Sequence, residues 1–310
     1  MPANIPNFNG ISGSVYMNAG QIENKGIEIQ ISATPFKGEF SWETTLSWSK
    51  NNNKILSLAN NQNQLANAKA GTKWGNVIRN YVGRPMGDMY MLKVIGTFNT
   101  EEDLTKYATN GTQGIGDLIF EDYKKDGTID VNDYQLVGNY QPDFTFGWTN
   151  TFKYKDLDLA VTIDGQCGGN VIYAAARAFS LNRYDDNVLA ESGLGRWISP
   201  TNTGNGTSHK AGTNNLGSNI GPSTRYLYDA DFLRIRNISL GYTLPKKFCK
   251  TIGIEGLRIS ANVQNLWTFD KYPGYSVEAN YEGNSATNNG VDFGGYPISR
   301  TFTFGLNFNF

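Results

Sequence analysis

The last ten residues of the chain, TFTFGLNFNF, alternate strictly between large apolar side chains and small or polar ones. Because successive side chains of a β-strand point to opposite faces, one face of this segment is wholly apolar and the other carries only Thr, Gly and Asn. The apolar face consists of Phe302, Phe304, Leu306, Phe308 and Phe310. Such a strand must place its apolar face against a protein core or against lipid.

The same alternation returns in other segments of about ten residues, which is the length that a tilted strand needs to cross a bilayer. Examples are NKGIEIQIS, FSWETTLSW, DFTFGWTNTFKY, DLDLAVTID and GLRISANVQNLW. The pattern predicts about nine strands. We place them near residues 24–34, 39–49, 74–82, 88–96, 143–154, 156–167, 230–243, 256–267 and 300–310.

The connections between these strands are short and long in turn. Tight turns follow Thr34 and surround Lys155, whereas residues 51–72, 97–142, 168–228 and 270–297 are long, polar and rich in Gly, Asn, Ser and Thr. Short periplasmic turns on one rim and long extracellular loops on the other are typical of an outer-membrane barrel. We therefore expect an all-β fold, a segment of a transmembrane antiparallel β-barrel.

A soluble β-sandwich is the alternative fold, because its strands alternate too. Aromatic side chains at the strand ends and the one-sided long loops favour the barrel. An odd number of strands leaves the first and last strands parallel, which an antiparallel barrel does not permit, so we expect an open sheet with partners elsewhere. The start MPANIPNFNG has neither a basic patch nor an apolar run, so no signal peptide is expected.

Composition excludes several classes of function. The 27 basic and 28 acidic residues give a net charge of -1, so no nucleic acid is expected as a partner. Cys167 and Cys249 lie far apart and His209 is the single histidine, which leaves no ligand set for zinc and no base for a catalytic triad. Asp156 and Asp158 share a strand face, and we expect them near the periplasmic turn, pointing into a wet lumen, with no catalytic role. We expect no enzyme.

Six stretches of the sequence, in this order, carry a family resemblance. They are NAGQIENKGIEIQISATP, GRPMGDMYMLKVIGTFNTEEDL, GDLIFEDYKKDGTIDVNDYQLVGNYQPDFTFGWTN, DADFLRIRNISLGYTLPKKF, GLRISANVQNLWTFDKYPGYSVEANY and TFTFGLNFNF. Together they resemble the C-terminal β-barrel part of SusC/RagA-family TonB-dependent receptors. The resemblance implies a 22-stranded outer-membrane barrel of Gram-negative Bacteroidetes, to which this chain contributes about nine strands.

The resemblance also implies a function. Receptors of this kind import oligosaccharides or peptides with a SusD-like lipoprotein and with energy from the TonB complex. Residues 1–310 are then the C-terminal part of the barrel domain. The plug domain, the TonB box and the signal peptide are expected to lie outside the chain, so that TonB acts through a missing N-terminal region. The alternative function is a secreted all-β carbohydrate-binding or calcium-stabilised adhesion module.

The terminal strand has a further role by resemblance. A terminal aromatic residue on an alternating strand is the signal that the barrel-assembly machinery of the outer membrane reads. In this chain the signal consists of the five apolar residues from Phe302 to Phe310. Deletion of Phe310 is expected to impair insertion into the membrane.

Aromatic residues in the long connections are candidates for contact with cargo, because flat rings stack on the apolar face of a sugar. The candidates are Trp197, Tyr226, Tyr228, Tyr272, Tyr275 and Tyr296. Trp267 and Tyr272 also suit an interfacial girdle, since each falls where a strand leaves the bilayer. Arg234 and Arg236 are expected on the same face as Phe232 and Ile238, where they must lie above the bilayer, face the lumen or pair.

The stretch DYKKDGTIDVND resembles an EF-hand calcium loop. The loop positions predict ligands at Asp122, Asp126, Thr128, Asp130 and Asp133. Gly127 stands at the turn position, and Ile129 at the apolar anchor. Lys124 occupies the third position, where an oxygen ligand belongs, so a weakened site is expected. No cofactor is required, and calcium is the one candidate.

Overall fold

A computed structural model of the chain describes residues 2–4, 14–16, 20–58, 62–65, 77–180, 187–212, 219, 221–251, 253–281, 283 and 289–310. The strands are β1 (Pro2–Asn4), β2 (Ser14–Tyr16), β3 (Gly20–Phe36), β4 (Phe40–Leu58), β5 (Ile78–Arg79), β6 (Asp88–Met91), β7 (Val94–Thr97), β8 (Leu118–Phe120), β9 (Gln135–Asn139), β10 (Phe144–Tyr154), β11 (Leu157–Cys167), β12 (Asn170–Tyr173), β13 (Leu227–Asp229), β14 (Phe232–Thr243), β15 (Gly256–Asp270), β16 (Val291–Asp292) and β17 (Thr301–Asn309). The helices are α1 (Glu101–Lys106), α2 (Ala190–Leu194) and α3 (Lys246–Thr251), and short 3-10 turns cover Val131–Asp133, Ala174–Arg177 and Thr224–Tyr226. Within the described residues, none of the helices has the length and apolar character needed to cross a membrane.

The largest sheet, here called the wall sheet, contains the strands that alternate most clearly. Its spatial order is β17-β15-β14-β11-β10-β4-β3, and every neighbouring pair is antiparallel. These strands follow one another in chain order as a meander. The prediction of an all-β antiparallel fold is confirmed. Within the described residues the sheet stays open at β3 and β17, so no closed barrel forms.

Two of the predicted wall strands lie elsewhere. Residues 74–76 of the first predicted segment lie outside the described residues, and the rest of the segments near 74–82 and 88–96 includes the short strands β5, β6 and β7, which pair outside the wall sheet. The physical reason lies in their apolar residues, which are not confined to one face. Met89 and Met91 of β6, like Val77 and Ile78, are fully buried. These segments therefore pack into a core instead of exposing one apolar face.

One face of the wall sheet, here called the apolar face, exposes large apolar side chains. The register aligns Ile31, Leu46, Trp148, Ile163 and Ile235 in one row across five strands. Ile31, Leu46 and Trp148 of this row are exposed, Ile163 and Ile235 are half-buried, and Phe304 of β17 on the same face is 82% exposed. An apolar surface of this extent on a protein marks contact with a membrane or a partner.

Two polar side chains lie on the apolar face, and each accepts a hydrogen bond from a tryptophan. Thr44 and Asn150 are direct cross-strand partners on β4 and β10. The indole Nε1 of Trp42 donates to Oδ1 of Asn150 at 3.0 Å, and Nε1 of Trp148 donates to Oγ1 of Thr44 at 2.9 Å. A polar group away from water costs free energy unless it forms a hydrogen bond. These two bonds therefore lower the cost of placing Thr44 and Asn150 on an apolar surface.

Aromatic side chains gather where the wall strands end. Near the turn after β3, the rings of Phe36, Phe40, Trp42 and Phe152 contact one another with centroids 6.0 to 6.4 Å apart. Toward the opposite rim, Trp48 in the middle of β4 meets Phe144 at the start of β10, and Trp267 meets Phe269 near the end of β15. Aromatic bands at both ends of an apolar surface are characteristic of membrane barrels.

The connections divide between the two rims as predicted. Residues 37–39, 155–156 and 244–255 join neighbouring wall strands on one rim, and only the last contains a helix, α3. Lys155 takes the left-handed conformation that its tight turn requires, with φ 52°. Residues 59–143, 168–231 and 271–300 form the long connections on the other rim.

The described parts of the three long connections fold together into a cap. Its short strands form the sheets β5-β6-β9, β7-β8 and β13-β12-β16. One buried cluster takes Met89 from the first connection, Ile172 from the second and Val291 from the third. A buried apolar cluster shared by three connections stabilises each of them, because none can bury its side chains alone.

A β-bulge in β14 decides which way its arginines point. The register shifts between Ile235 and Asn237, which leaves Arg236 as the extra residue. Arg234 therefore lies on the polar side of the sheet opposite Asp164, while Ile238 lies on the apolar face opposite Val161. The expectation that Arg234 and Ile238 share a face was wrong, because an inserted residue reverses the alternation beyond it.

Candidate functional site

The second side of the wall sheet, here called the polar face, carries Ser, Thr, Gln, Asn and charged side chains. Close to the cap it forms a groove of about 700 Å³. The groove is lined by Glu28, Gln30, Ser47, Ser49, Thr145, Asp164, Gln166, Phe232 and Glu278, among others. Most of these groups can donate or accept hydrogen bonds, which suits a hydrated polar ligand.

An ion cluster centred on Arg234 stands at the cap end of the groove. Arg234 donates from Nε and Nη2 to the two carboxylate oxygens of Asp164, at 3.1 and 2.8 Å. Its Nη1 donates to Oε2 of Glu278 at 2.7 Å, and Nε of Arg236 donates to Asp164 at 3.0 Å. Arg234 is only 4% exposed. The cluster meets the expectation that the strand arginines pair or face the lumen.

A second ion pair stands near the opposite rim. Arg258 of β15 donates to both carboxylate oxygens of Asp158 on β11, at 2.7 and 2.9 Å. The intervening strand β14 carries Gly241 directly opposite Asp158. A Cβ at Gly241 would collide with Nη2 of Arg258. Gly241 thus leaves room for an ion pair that spans three strands.

We expect Gly241→Ala to remove this ion pair, because the methyl group displaces the guanidinium group of Arg258. Both partners are partly exposed, so the expected loss of unfolding free energy is on the order of 1 kcal/mol. Urea unfolding of the purified protein measures it. In an Arg258→Met background the same substitution should cost almost nothing further, and an equal cost in both backgrounds contradicts the assignment.

Three of the candidate cargo aromatics lie inside the cap. Tyr226 is only 1% exposed and shares a hydrogen bond of 2.9 Å with Ser180. Tyr272 is buried and donates to Oδ2 of Asp292 at 2.6 Å. Burial raises the pKa of Tyr272, and the bond to Asp292 raises it further. Tyr228 contacts the edge of the Tyr272 ring, and burial raises its pKa to about 12. These rings pack one connection against another.

The other candidate aromatics are more accessible. Tyr296 is 98% exposed, and Tyr275 is exposed at a second, smaller cavity that Arg234 also lines. Trp197 is partly buried, and its Nε1 donates to Oδ1 of Asn99 at 2.9 Å. A cargo role stays a prediction for all six aromatics, and Tyr275 and Tyr296 have the rings most available for stacking. Trp267 lies exposed on the apolar face, as its girdle assignment requires.

In the loop from Asp122 to Asp133, side-chain carboxylates accept hydrogen bonds from backbone N–H groups of the same loop. Asp122 accepts the backbone N–H groups of Lys125, Asp126 and Gly127. Asp133 is buried and accepts those of Lys124 and Asp130. In the part of the chain that the structure describes, no three His, Cys, Asp or Glu side chains converge as a metal site. Calcium binding at this loop stays a prediction.

The effect of Lys124 can be tested directly. Lys124→Asp adds an oxygen ligand and removes a positive charge, so calcium should bind the variant at least about tenfold more tightly than the unchanged protein. Isothermal titration with calcium chloride measures both affinities. The neighbouring Lys125→Asp is the control, because its position is not a ligand position. Equal affinities for the Lys124 variant and the unchanged protein contradict the ligand assignment.

The sequence also contained site residues that pattern reasoning missed. Asp164 ends the alternating segment DLDLAVTID, and a carboxylate inside a strand signals a partner, but not which one. Glu278 lies in the connection 271–300, and its pairing with Arg234 depends on how that connection folds. No local signal indicates such a contact.

Comparisons with known proteins give a consistent result. The chain is 31% identical over 318 residues to TonB-dependent receptor P3 of Formosa agariphila, covering 100% of this chain and 31% of the relative. It is 27% identical over 315 residues to TonB-dependent receptor SusC of Bacteroides thetaiotaomicron, covering 99% of this chain and 28% of the relative. Comparison with protein-family models finds no match.

The fold resembles that of a solved transporter. The structure of the RagAB peptide transporter matches with a TM-score of 0.74 and 18% identity, over 99% of this chain and 31% of that chain. The chain therefore spans about a third of the length of the proteins it matches. The relatives are receptors and a transporter, not enzymes, as the sequence predicted.

Proposed function

Because the chain is related along its whole length to the outer-membrane TonB-dependent receptors of the SusC and RagA type, we propose that it supplies wall and extracellular cap to an active importer of that type. The observation that carries the proposal is the wall sheet, which is apolar on one face and polar on the other and bears a folded cap on one rim. The predicted family and the outer-membrane location rest on the similarity of the chain to these receptors.

The two faces suit a wall between lipid and a water-filled passage. The exposed side chains of the apolar face, from β3 to β17, are those that lipid accepts at no cost. The polar face and its groove of about 700 Å³ suit a polar cargo larger than a single sugar or amino acid. In this proposal the polar face lines the passage, and the cap forms its extracellular mouth.

The proposal also covers the partners and the cargo of the importer. We expect a SusD-like lipoprotein to meet the cap, and the TonB complex to act through a region outside this chain. The cargo is an oligosaccharide or a peptide. The name of the RagAB peptide transporter supports a peptide, while the hydrogen-bonding lining of the groove serves either class.

A transport experiment tests the proposal. A strain that lacks the gene should lose growth on one oligosaccharide or peptide source as sole nutrient, and a plasmid copy should restore it. Deletion of the TonB gene should cause the same loss. Growth of both deletion strains at the parental rate on every source that the parent uses would contradict the proposal.

A secreted carbohydrate-binding or adhesion module is the second candidate function. It requires a surface that water tolerates, and the rows of exposed isoleucine, leucine, tryptophan and phenylalanine on the apolar face weigh against it. Cell fractionation separates the candidates. The importer is expected in outer membranes, with electrophoretic migration that changes on heating, whereas a module is expected in the culture medium.

A further inference from the structure

Arg234 holds together two parts of the molecule that are far apart in sequence. It stands on the wall strand β14, where the register places it directly opposite Asp164 of β11. Its second partner, Glu278, belongs to the long connection 271–300 of the cap. The side chain of Arg234 is 4% exposed, whereas that of Glu278 is 44% exposed. One side of this contact is therefore fixed in the wall, and the other borders open space.

The charges of the cluster balance only while Glu278 is present. Arg234 and Arg236 contribute two positive charges, and Asp164 and Glu278 contribute two negative charges. Removal of Glu278 leaves one positive charge in excess, on guanidinium groups that form strong paired hydrogen bonds with carboxylates. A buried arginine without its full complement of acceptors is costly, so another anion is favoured in the place of Glu278.

The position of Glu278 is also the edge of the space that a ligand can enter. Glu278 and Asp164 both line the groove of about 700 Å³ on the polar face. The remaining polar lining consists of uncharged hydrogen-bonding groups, such as Gln166 and Thr145, and of the carboxylate of Glu28 on β3, three strands away from Gln166. A ligand in this groove can place an acidic group next to Arg234 while its uncharged parts contact the wall.

Glu278 can leave without dismantling the cap. Its backbone N–H bonds to Oγ of Ser276 in a short turn, and the adjacent Val277 packs with Phe232 and Tyr272 in a separate apolar cluster. The side chain of Glu278 adds one charge-assisted contact to a segment that is already anchored. Its exchange for another carboxylate therefore requires only a local change.

We infer that Arg234 and Arg236 form a binding site for carboxylate groups of the cargo, which Glu278 of the chain itself occupies in this structure. An arriving carboxylate replaces that of Glu278 and restores the charge balance. The inference rests on the proposed import function for the cargo, and it narrows that cargo to molecules with acidic groups. Two sources share this chemistry, acidic peptides and uronic-acid oligosaccharides.

Direct binding tests the inference on the complete receptor purified in detergent from outer membranes. The probes are fluorescently labelled tri-glutamate and tri-galacturonate, and their neutral counterparts are tri-glutamine and the methyl ester of tri-galacturonate. Glu278→Gln removes the internal competitor and keeps its shape. It should tighten binding of at least one acidic probe about tenfold and leave the neutral probes unchanged, and the acidic probe that responds identifies the source.

Control variants separate this effect from others. Glu121 forms a comparable ion pair with Lys93 in the cap, with Nζ and Oε2 at 2.9 Å, and Glu121→Gln should change no affinity. Arg236→Gln, at the more exposed arginine, should weaken acidic probes in the Glu278→Gln background. Equal tightening of acidic and neutral probes by Glu278→Gln, or no change for either acidic probe, overturns the inference.

The binding test and the transport test examine different claims, so a negative result in one does not decide the other. Binding to purified protein needs neither TonB nor uptake, so a strain without a growth defect counts against the import function and leaves the carboxylate site standing. Transport of neutral cargo alone, with no acidic probe bound by the Glu278→Gln variant, counts against the site and leaves the import function standing.

Discussion

An arginine in place of Ile31 is expected to lower the unfolding free energy by about 2–4 kcal/mol, because it puts a charge on a lipid-facing position near mid-strand. Ile31 is exposed on the apolar face and lies opposite Leu46. The expected result in cells is a marked fall in the amount of protein in the outer membrane. Urea unfolding in membrane preparations, followed by loss of heat-modifiable migration, measures the free energy.

The matched control is an arginine at the next residue. Gln30 is exposed on the polar face opposite Ser47, so Gln30→Arg adds the same charge to the same strand on the wet side. Its expected cost is within about 0.5 kcal/mol. If the two variants lose the same stability, the two faces of the wall sheet do not differ in environment, and the lipid assignment is wrong.

Truncation of Ile172 is expected to have the second large effect, loosening all three long connections together. Ile172 is fully buried in the cluster that the connections share, and its backbone N–H bonds to the carbonyl of Gly290 at 2.8 Å. Ile172→Ala leaves a cavity that costs about 2–5 kcal/mol. Hydrogen exchange should rise in the cap segments around Met89, Ile172 and Val291, while the wall strands keep their protection.

Ile198→Ala is the matched control for this prediction. Ile198 lies in the same long connection as Ile172 but is 55% exposed, so its truncation leaves no cavity and should not alter exchange. Faster exchange confined to residues near Ile172, without a response near Met89 or Val291, would mean that the connections are independent loops and not one cap.

The wall sheet could be predicted because its signal is local. Each of its strands carries most of its apolar residues on one face, and that pattern needs no knowledge of distant parts of the chain. The final segment, predicted from Phe302 to Phe310 as one stripe, pairs with β15 as residues Thr301 to Asn309. The segments near 74–82 and 88–96 also carry apolar residues, but those residues become buried in the cap, and strand alternation alone did not reveal the difference.

The cap and the charge cluster could be predicted only in part. The apolar residues of the cap are spread over three connections that are separated by wall strands, so no window of sequence contains a complete core. The strand arginines could be expected to pair, because unpaired charges are costly at such positions. Glu278 could not be identified as a partner, because its contact is set by tertiary folding. The bulge at Arg236 was also missed, since one inserted residue has no signature in the composition.

The two tryptophan hydrogen bonds between β4 and β10 distinguish the observed register of these strands from a shifted register. Trp42 and Trp148 each reach one step diagonally to the polar member of the opposite strand, so both bonds form in only one alignment. A slip by one residue turns Asn150 and Thr44 away from their indoles and moves the apolar side chains of one strand, such as Leu46 and Trp48 of β4, to the wet side. Thr44 and Asn150 are polar residues on an apolar surface, and their hydrogen bonds with the two tryptophans stabilise the correct register during insertion. The register shifted by one residue lacks these bonds and is disfavoured.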